Sequence, residues 1–241
     1  MRDILIDGLP ILDLLEVTPS TSNVALLANC DQSSVSRIYR HVSSSLQLGF
    51  RKSNGTYSAH TNQELLASLR QATQLLRLQR GADHLQWVGN WWNGAALANL
   101  NDHTPLPRPW QGEQRTLMLL DSRVLDLAVL DLAALQNQEA LPAAERGSDD
   151  PLAWGPWSAI PLAHYPAGLR ASMAALHAQP PAPRTKPSSG STTDGTVHGQ
   201  VTDVALVRRE HLERPALQAL IASLKRAYRQ AYGHLDGICW P

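Results

Sequence analysis

Apolar residues recur at spacings of three and four through the first eighty residues, which predicts a succession of short helices. Pro19 and Ser20 separate the first helix from the second, and the polar turn Asn29-Cys30-Asp31 separates the second from the third. The residues of the three predicted apolar faces are Leu9, Leu12 and Leu15, then Val24, Leu27 and Ala28, then Val35, Ile38, Val42 and Leu46. This part of the chain is therefore expected to form a compact helical core with a helix-turn-helix.

The third predicted helix has an unusual polar face. Its sequence is CDQSSVSRIYRHVSSSL, and Asp31 is a good N-cap for it. Hydroxyl, amide and guanidinium groups that suit contacts with phosphates and base edges lie on or near this face, at Gln32, Ser33, Ser34, Ser36, Arg37 and Arg40. A serine-rich helix with two arginines is also compatible with an ordinary solvated surface, because helix-turn-helix patterns alone give many false positives.

A short hairpin and a long helix follow. The hairpin is predicted within FRKSNGTYSAHT, where Asn54 and Gly55 tolerate the positive φ of a type I′ turn, and it forms a small wing that carries Arg51 and Lys52. The helix is predicted over 62–80, with an apolar stripe that requires a packing partner. The stripe consists of Leu65, Leu66, Leu69, Ala72, Leu75, Leu76 and Leu78. That partner is either a second copy of the chain or the core of the same chain.

Charge is concentrated in this N-terminal region. The formal net charge of the 241 residues is zero, but between Asp31 and Arg80 seven arginines and lysines oppose two acids, a local net charge of +5. The composition, 43% hydrophobic and 17% charged, is that of a globular protein of one large or two small domains. An anionic partner would therefore be bound by a local basic patch.

The same region resembles the helix-turn-helix of LysR-type transcriptional regulators. The resemblance runs from Ala25 to Arg40 through QSSVSRIYR, and GFRKSNGTYSAHT is similar to the wing of that family. The resemblance implies that Gln32, Val35, Ser36, Arg37 and Arg40 belong to a recognition helix and that residues 62–80 form a linker helix for dimerisation. It covers about residues 9–80 and implies double-stranded DNA as a partner, bound by a homodimer or tetramer.

Beyond Gly81 strands and helices alternate, which predicts an α/β domain with a partly parallel sheet. The strand candidates are LQWVG, LDLAVLDL, WSAIPLAHYP and TDVALVRR, and a long amphipathic helix begins near Pro215. RTLMLLDSRVLDLAVLD resembles part of the effector-binding domain of the same family, which implies a reduced periplasmic-binding-protein-like domain. Residues 178–200 are rich in Pro, Ser, Gly and Thr and are predicted to be a flexible segment.

The predicted organisation is thus an α/β multidomain protein. Residues 1–61 form a winged helix-turn-helix DNA-binding domain, 62–80 a linker helix, and 81–241 an α/β domain for effector binding or assembly. A small-molecule effector is expected beyond the carboxyl end of a strand. The residues of NWWNG that could bind it are Asn90, Trp91, Trp92 and Asn93, although adjacent tryptophans more often pack a core or a subunit interface.

Other chemistry has little support in the sequence. The histidines are too irregularly spaced for a metal motif, Cys30 and Cys239 are interpreted as reduced thiols, and neither a phosphate-cradling glycine loop nor a nucleophile elbow is present. We therefore expect no enzyme activity, cofactor or metal. The start MRDILIDGLPILDLLE intersperses acids and lacks the pattern of a signal peptide, so a cytoplasmic protein without a membrane partner is predicted.

Two functions remain open on these observations. The first is a sequence-specific, dimeric transcriptional regulator that reads DNA half-sites with the third helix. The second is an adaptor that keeps this fold but binds a partner protein without specific DNA binding.

Overall fold

The structure of the protein is a computed structural model. It describes residues 4, 8–98, 100, 103–109, 111–136, 153–176 and 199–241. Apart from Gly199 and Gln200, the predicted flexible segment 178–200 lies outside these residues. The chain divides into two compact units. The first comprises Met1–Val88, Pro105–Ala128 and Glu213–Leu217, and the second Gly89–Thr104, Val129–Leu212 and Gln218–Pro241. The first unit thus includes residues beyond the predicted linker helix.

Three short helices form the core of the first unit. They are α1 (Leu9–Val17), α2 (Thr21–Leu27) and α3 (Gln32–Ser45). The side chain of Ser20 caps α2 by accepting a hydrogen bond from Asn23 N, and the Asp31 side chain caps α3 in the same way with Ser34 N. Most residues of the predicted apolar faces meet in one buried cluster that includes Leu12, Val24 and Val35. Leu27, which was predicted on the same face as Val24, is instead 42% exposed at the end of α2. The predicted succession of three short helices, with a turn between α2 and α3, is therefore present.

The hairpin forms as the Asn-Gly dipeptide predicts. Strands β1 (Arg51–Ser53) and β2 (Thr56–Ser58) pair antiparallel, and Asn54 and Gly55 have φ of 50° and 83°. An aromatic cluster supports it, since the ring of Tyr57 stacks on Phe50 at 5.7 Å and meets Tyr39 of α3 edge-on at 5.7 Å. This packing fixes the wing beside α3.

The long helix α4 spans Gln63–Arg80. Leu66 and Leu78 are buried, but Arg70, Thr73 and Gln74 are buried as well. Leu65, Leu75 and Leu76 remain exposed by 42%, 36% and 41%. The leucines of the predicted apolar stripe are therefore not all buried. Some of them pack inside this unit and others are exposed, and polar side chains complete the buried face of α4.

The remaining described elements of the first unit include a 3₁₀ turn at Ala82–His84, strand β3 (Trp87–Val88) and helix α6 (Gly112–Asp121). The Asp126 carboxylate joins this part to α4, since it accepts from Arg77 Nε at 2.8 Å and from Gln74 Nε2 at 3.0 Å. It also accepts from the backbone N–H of Gln86 at 2.8 Å. Residues 122–126 are thereby bound to the long helix.

Strand β3 belongs to a five-stranded sheet. Its further strands are β4 (Leu127–Asp131), β5 (Ala153–Trp154), β6 (Trp157–Pro166) and β7 (Gln200–Arg208). The strand order is β3-β4-β7-β6-β5. Strands β3 and β4 are parallel, whereas β5–β6 and β6–β7 are antiparallel. The predicted partly parallel sheet is confirmed. The division between the two units falls within β4.

Helices complete the second unit. A 3₁₀ turn at Trp91–Asn93 leads into α5 (Gly94–Ala98), and α7 (Leu132–Gln136) follows β4. Helix α8 (Leu169–Ala175) follows β6, and α9 (Pro215–Tyr232) follows the 3₁₀ turn Arg209–His211. Tyr165, Val204, Leu220 and Tyr228 are buried in the core of this unit. Within the described part of the chain, no helix combines the length and the apolar character needed to span a bilayer.

Candidate functional site

The outward face of α3 bears most of the predicted contact residues. Gln32, Ser33, Arg37 and Arg40 are exposed, and Ser36 is half-buried. Ser34 is different, because it is only 4% exposed and its hydroxyl donates to Asp31 Oδ2 at 2.7 Å. The prediction that Ser34 belongs to the contact surface therefore does not agree with its position, because Ser34 lies one helical turn before buried Ile38 on the inward face of α3.

Ser34 instead links the N-cap of α3 to an exposed arginine. Its Oγ accepts a hydrogen bond from Arg37 Nη2 at 3.0 Å, while its own hydroxyl proton is donated to Asp31. Hydrogen bonds from Ser33 and Ser34 hold the pKa of Asp31 well below its usual range, so this carboxylate is ionised. The chain of contacts from Asp31 through Ser34 orients the guanidinium of Arg37 on the exposed face.

The wing adds two more exposed cations, Arg51 and Lys52. Lys52 Nζ donates to the backbone carbonyl of Pro19 at 2.7 Å, which places its charge beside the start of α2. Lys52 Nζ also lies 5.9 Å from the ring centroid of Tyr57, and Arg40 lies 5.9 Å from that of Tyr39. The aromatic cluster thus has a cation at the wing and another at α3.

Two of the seven bases in this region do not contribute to an exposed patch. Arg70 donates to Asp13 Oδ1 and to Glu16 Oε1, each at 2.8 Å, and Arg77 pairs with Asp126. Desolvation acts to lower the pKa of Arg70, but the two carboxylates outweigh it and raise that pKa. Burial raises the pKa of Glu16 despite the nearby arginines. The local charge counted along the sequence therefore overstates the exposed charge.

The predicted effector residues lie in the second unit, and three of the four are buried. Asn90, Trp92 and Asn93 are exposed by 5%, 3% and 0%, whereas Trp91 is 59% exposed. Asn93 Nδ2 donates to the hydroxyl of Tyr228 at 2.8 Å. Among the described residues, Asn90 Nδ2 and Asn93 Oδ1 have no hydrogen-bond partner. The pair of tryptophans does not line a common wall, because their rings meet edge-on at 5.5 Å with one buried and one exposed.

A buried carboxylate lies behind this segment. Asp203 is 0% exposed and accepts hydrogen bonds from Trp92 Nε1, from the Tyr165 hydroxyl at 2.8 Å and from the Tyr228 hydroxyl at 3.0 Å. Burial raises the pKa of Asp203 to about 6, although the three hydrogen bonds act to lower it. We call Trp92, Tyr165, Asp203 and Tyr228 the Asp203 cluster.

An arginine closes one side of this cluster. The guanidinium of Arg170 lies 4.4 Å from the ring centroid of Trp92 and forms an ion pair with Asp131. Burial and the charge of Asp203 raise the pKa of Tyr165 and of Tyr228, so both hydroxyls stay protonated and act as donors. Sequence reasoning singled out Trp92 but missed Asp203, Tyr165 and Tyr228. The sequence feature that could have indicated Asp203 is the presence of this acid within the otherwise apolar strand pattern TDVALVRR.

No group of three histidine, cysteine or acidic side chains that could hold a metal ion occurs within the part of the chain that the structure describes. Cys30 is half-buried and packs against the helical core, and Cys239 is exposed.

Comparisons with known proteins give matches only among solved structures. No family model matches the chain, and no curated protein matches it. A full-length OxyR variant from Pseudomonas aeruginosa is 12% identical, with a TM-score of 0.44 over 93% of this chain and 97% of that one. ArgP from Mycobacterium tuberculosis is 14% identical, with a TM-score of 0.39 over 94% and 97%.

The full-length LysR-type regulator LysG from Corynebacterium glutamicum, with bound Arg, is 14% identical, with a TM-score of 0.39 over 95% of this chain and 99% of that one. LysG thus belongs to the family that residues 9–80 of this chain resemble.

Proposed function

We propose that the protein is a sequence-specific DNA-binding transcriptional regulator that acts as a dimer. The observation that carries this proposal is the joint exposure of Arg37 and Arg40 on α3 and of Arg51 and Lys52 on the wing beside it. An α-helix fits the major groove of B-form DNA, and guanidinium and amide groups near its start can read base edges there. Cations on a neighbouring hairpin then bind phosphates or the minor groove.

The residues divide into two roles under this proposal. Gln32 and Arg37 read base edges, with Ser33, Ser36 and Arg40 beside them, whereas Arg51 and Lys52 bind the phosphate backbone. Ser34 acts as a positioning residue, because it holds the guanidinium of Arg37 through a hydrogen bond of 3.0 Å. A guanidinium that is already oriented loses less conformational entropy when it makes a bidentate contact with guanine.

The exposed side of α4 supports a dimer. Leu65, Leu75 and Leu76 are each more than a third exposed, and all three lie on one side of the helix, opposite buried Arg70. We propose that a second copy of the chain covers these leucines, since an isologous contact between two such helices buries the same apolar surface twice. A dimer would place two α3 helices about 34–36 Å apart, one turn of DNA.

The second unit is proposed to bind a small molecule or to mediate assembly. Support for a ligand comes from Asn90 Nδ2 and Asn93 Oδ1, which are buried without a hydrogen-bond partner in the described structure. Buried polar atoms are nearly always paired, so a ligand that supplies one acceptor and one donor would complete both. Exposed Trp91, beside them in the chain, would cover such a ligand.

Two variants of the first unit test the assignment of roles. A binding site is first selected from a pool of random duplexes with the full-length protein, and affinities are then measured by fluorescence anisotropy. Arg37→Ala is expected to lose about 1–3 kcal/mol on the selected site and little on random duplex, because it removes base contacts. Lys52→Ala is expected to weaken both duplexes alike and to lower the salt slope by about 1.

Ser34→Ala is the matched variant for the positioning role. It leaves Arg37 in place, so binding to random duplex should stay unchanged while the preference for the selected site falls. Equal losses on selected and random DNA for Arg37→Ala would contradict the proposed reading of bases by α3.

A further inference from the structure

A cleft of about 360 Å³ opens in the first unit among α1, β2, α4 and α6. Its size falls within the range of about 300–1,000 Å³ that is typical of small-molecule sites. The lining side chains that matter here are Glu16, Ser58, Leu66, Ala67, Arg115 and Met118. None of these belongs to the proposed DNA contacts or to the segment at residues 90–93.

Arg115 is the cleft residue whose hydrogen bonds are least complete. It is 8% exposed, and its Nε has no hydrogen-bond partner among the described residues. Its Nη2 donates to the carbonyl of Glu16 at 3.1 Å and makes two longer contacts, at 3.4 Å to the carbonyl of Tyr57 and at 3.5 Å to Glu16 Oε2. A buried guanidinium with this few partners favours an added anion.

Glu16 does not neutralise Arg115 fully, because another arginine binds it more closely. Arg70 Nη2 lies 2.8 Å from Glu16 Oε1, whereas Arg115 lies 3.5 Å from Oε2. Desolvation lowers the pKa of Arg115 more than the attraction of Glu16 raises it, and the charge of Arg70 lowers it further. Asp13 and Glu16 together balance the charges of Arg70 and Arg115, so an added anion is favoured by the incomplete hydrogen bonding of Arg115 and not by an excess of positive charge.

The rest of the lining restricts what that anion can be. Leu66 is buried, Met118 is 55% exposed, and both present hydrocarbon or thioether surface to the cleft. Ser58 and Ser122 offer hydroxyl groups, while the Asp121 carboxylate lies at the exposed rim. A ligand with several negative charges would meet both Asp121 and Glu16, which disfavours phosphates and dicarboxylates.

We propose that this cleft binds a small amphipathic monocarboxylic acid, with its carboxylate on Arg115 and its hydrocarbon part against Leu66 and Met118. The site is separate from the predicted effector site in the second unit. It also does not depend on DNA binding, so it can be present whether or not the protein is a regulator. Because α4, α1 and β2 all line the cleft, an occupant contacts the same elements that support α3 and the wing.

The test uses the full-length protein and isothermal titration calorimetry in the absence of DNA. The probe is sodium 3-phenylpropionate, and its neutral amide is the control ligand. Ala67→Trp fills the cleft from α4 while leaving Arg115 intact, and Gln71→Trp places the same exposed ring on α4 outside the cleft lining. Arg115→Gln removes the charge, with folding checked by circular dichroism.

We expect the unsubstituted protein and Gln71→Trp to bind the carboxylate alike and the amide to bind at least about tenfold more weakly, because a charged hydrogen bond is lost. Ala67→Trp should lose binding by a similar factor, as should a folded Arg115→Gln. Absence of binding to the unsubstituted protein, equal binding of the amide, or undiminished binding to Ala67→Trp would each overturn the proposal. The DNA experiment described above reports on the proposed regulator function independently of this result.

Discussion

Replacing Asp203 with asparagine tests whether the burial of this carboxylate makes the protein less stable as the pH rises. Asp203 is 0% exposed, and its three hydrogen-bond donors, Trp92, Tyr165 and Tyr228, are uncharged. Its pKa is raised from 3.8 to about 6 by burial. In the unfolded chain the same carboxyl group ionises near its ordinary pKa.

The sign of the effect follows from proton binding. Below the unfolded pKa, Asp203 is protonated in both states. As the pH rises toward about 6, the unfolded state loses the proton first, so the native state is disfavoured. A shift of roughly two units corresponds to about 3 kcal/mol, which is the fall in the free energy of unfolding expected between about pH 4 and pH 7 from this group.

The assay is urea unfolding followed by tryptophan fluorescence at several pH values. Asp203→Asn carries no titrating group at this position. Its free energy of unfolding should therefore not show the fall of about 3 kcal/mol with rising pH that is expected for the unsubstituted protein. Asp236 is exposed, and Asp236→Asn should keep the original pH dependence. Glu16, whose pKa is also raised, is present in all three proteins and cancels in the difference.

Equal pH dependence of the unsubstituted protein and Asp203→Asn would contradict this prediction. It would mean that the native environment of Asp203 does not bind a proton more tightly than the unfolded chain does.

Three further substitutions test the packing of the first unit and its assembly. Arg70→Ala leaves Asp13 and Glu16 buried without their main partner and should cost about 3–5 kcal/mol in urea unfolding, whereas exposed Gln71→Ala should change stability by less than about 0.5 kcal/mol. Ser20→Ala removes the cap of α2 and should cost about 1 kcal/mol in the same assay; an unchanged midpoint would contradict that role. Leu76→Arg should convert the proposed dimer to a monomer in sedimentation velocity while the helical circular dichroism signal is kept, because Leu76 is 41% exposed within one chain; an unchanged mass would reject α4 as the dimer contact.

The start of α3 and the hairpin were predictable because local signals fix them. Asp31 caps α3 through atoms three residues away, and Asn54-Gly55 sets the hairpin through its own backbone angles. These interactions depend on neighbours in the sequence, which is where pattern reasoning is strongest. The parallel pairing of β3 with β4 had a related signal, since α5 and α6 lie between these strands in the chain and a helical crossover can return the chain in the same direction.

The polar interior was not predictable, because its partners are distant in sequence. Trp92 and Asp203 are 111 positions apart, and Arg70 and Asp13 are 57 apart. Periodicity assigns Arg70 to the same helix as the exposed leucines but does not show which side packs inward. Because Arg70 is paired with two buried carboxylates, it can occupy an interior position where the apolar pattern predicts a leucine.

A salt titration of the full-length protein tests the claim that α3 and the wing bind DNA. Binding to duplex fragments from around its own gene is measured across a range of salt concentrations, with a random duplex as control. We expect log K to fall steeply with log salt and one fragment to be preferred at every salt concentration. Weak binding without preference for any fragment at all salt concentrations would contradict the claim.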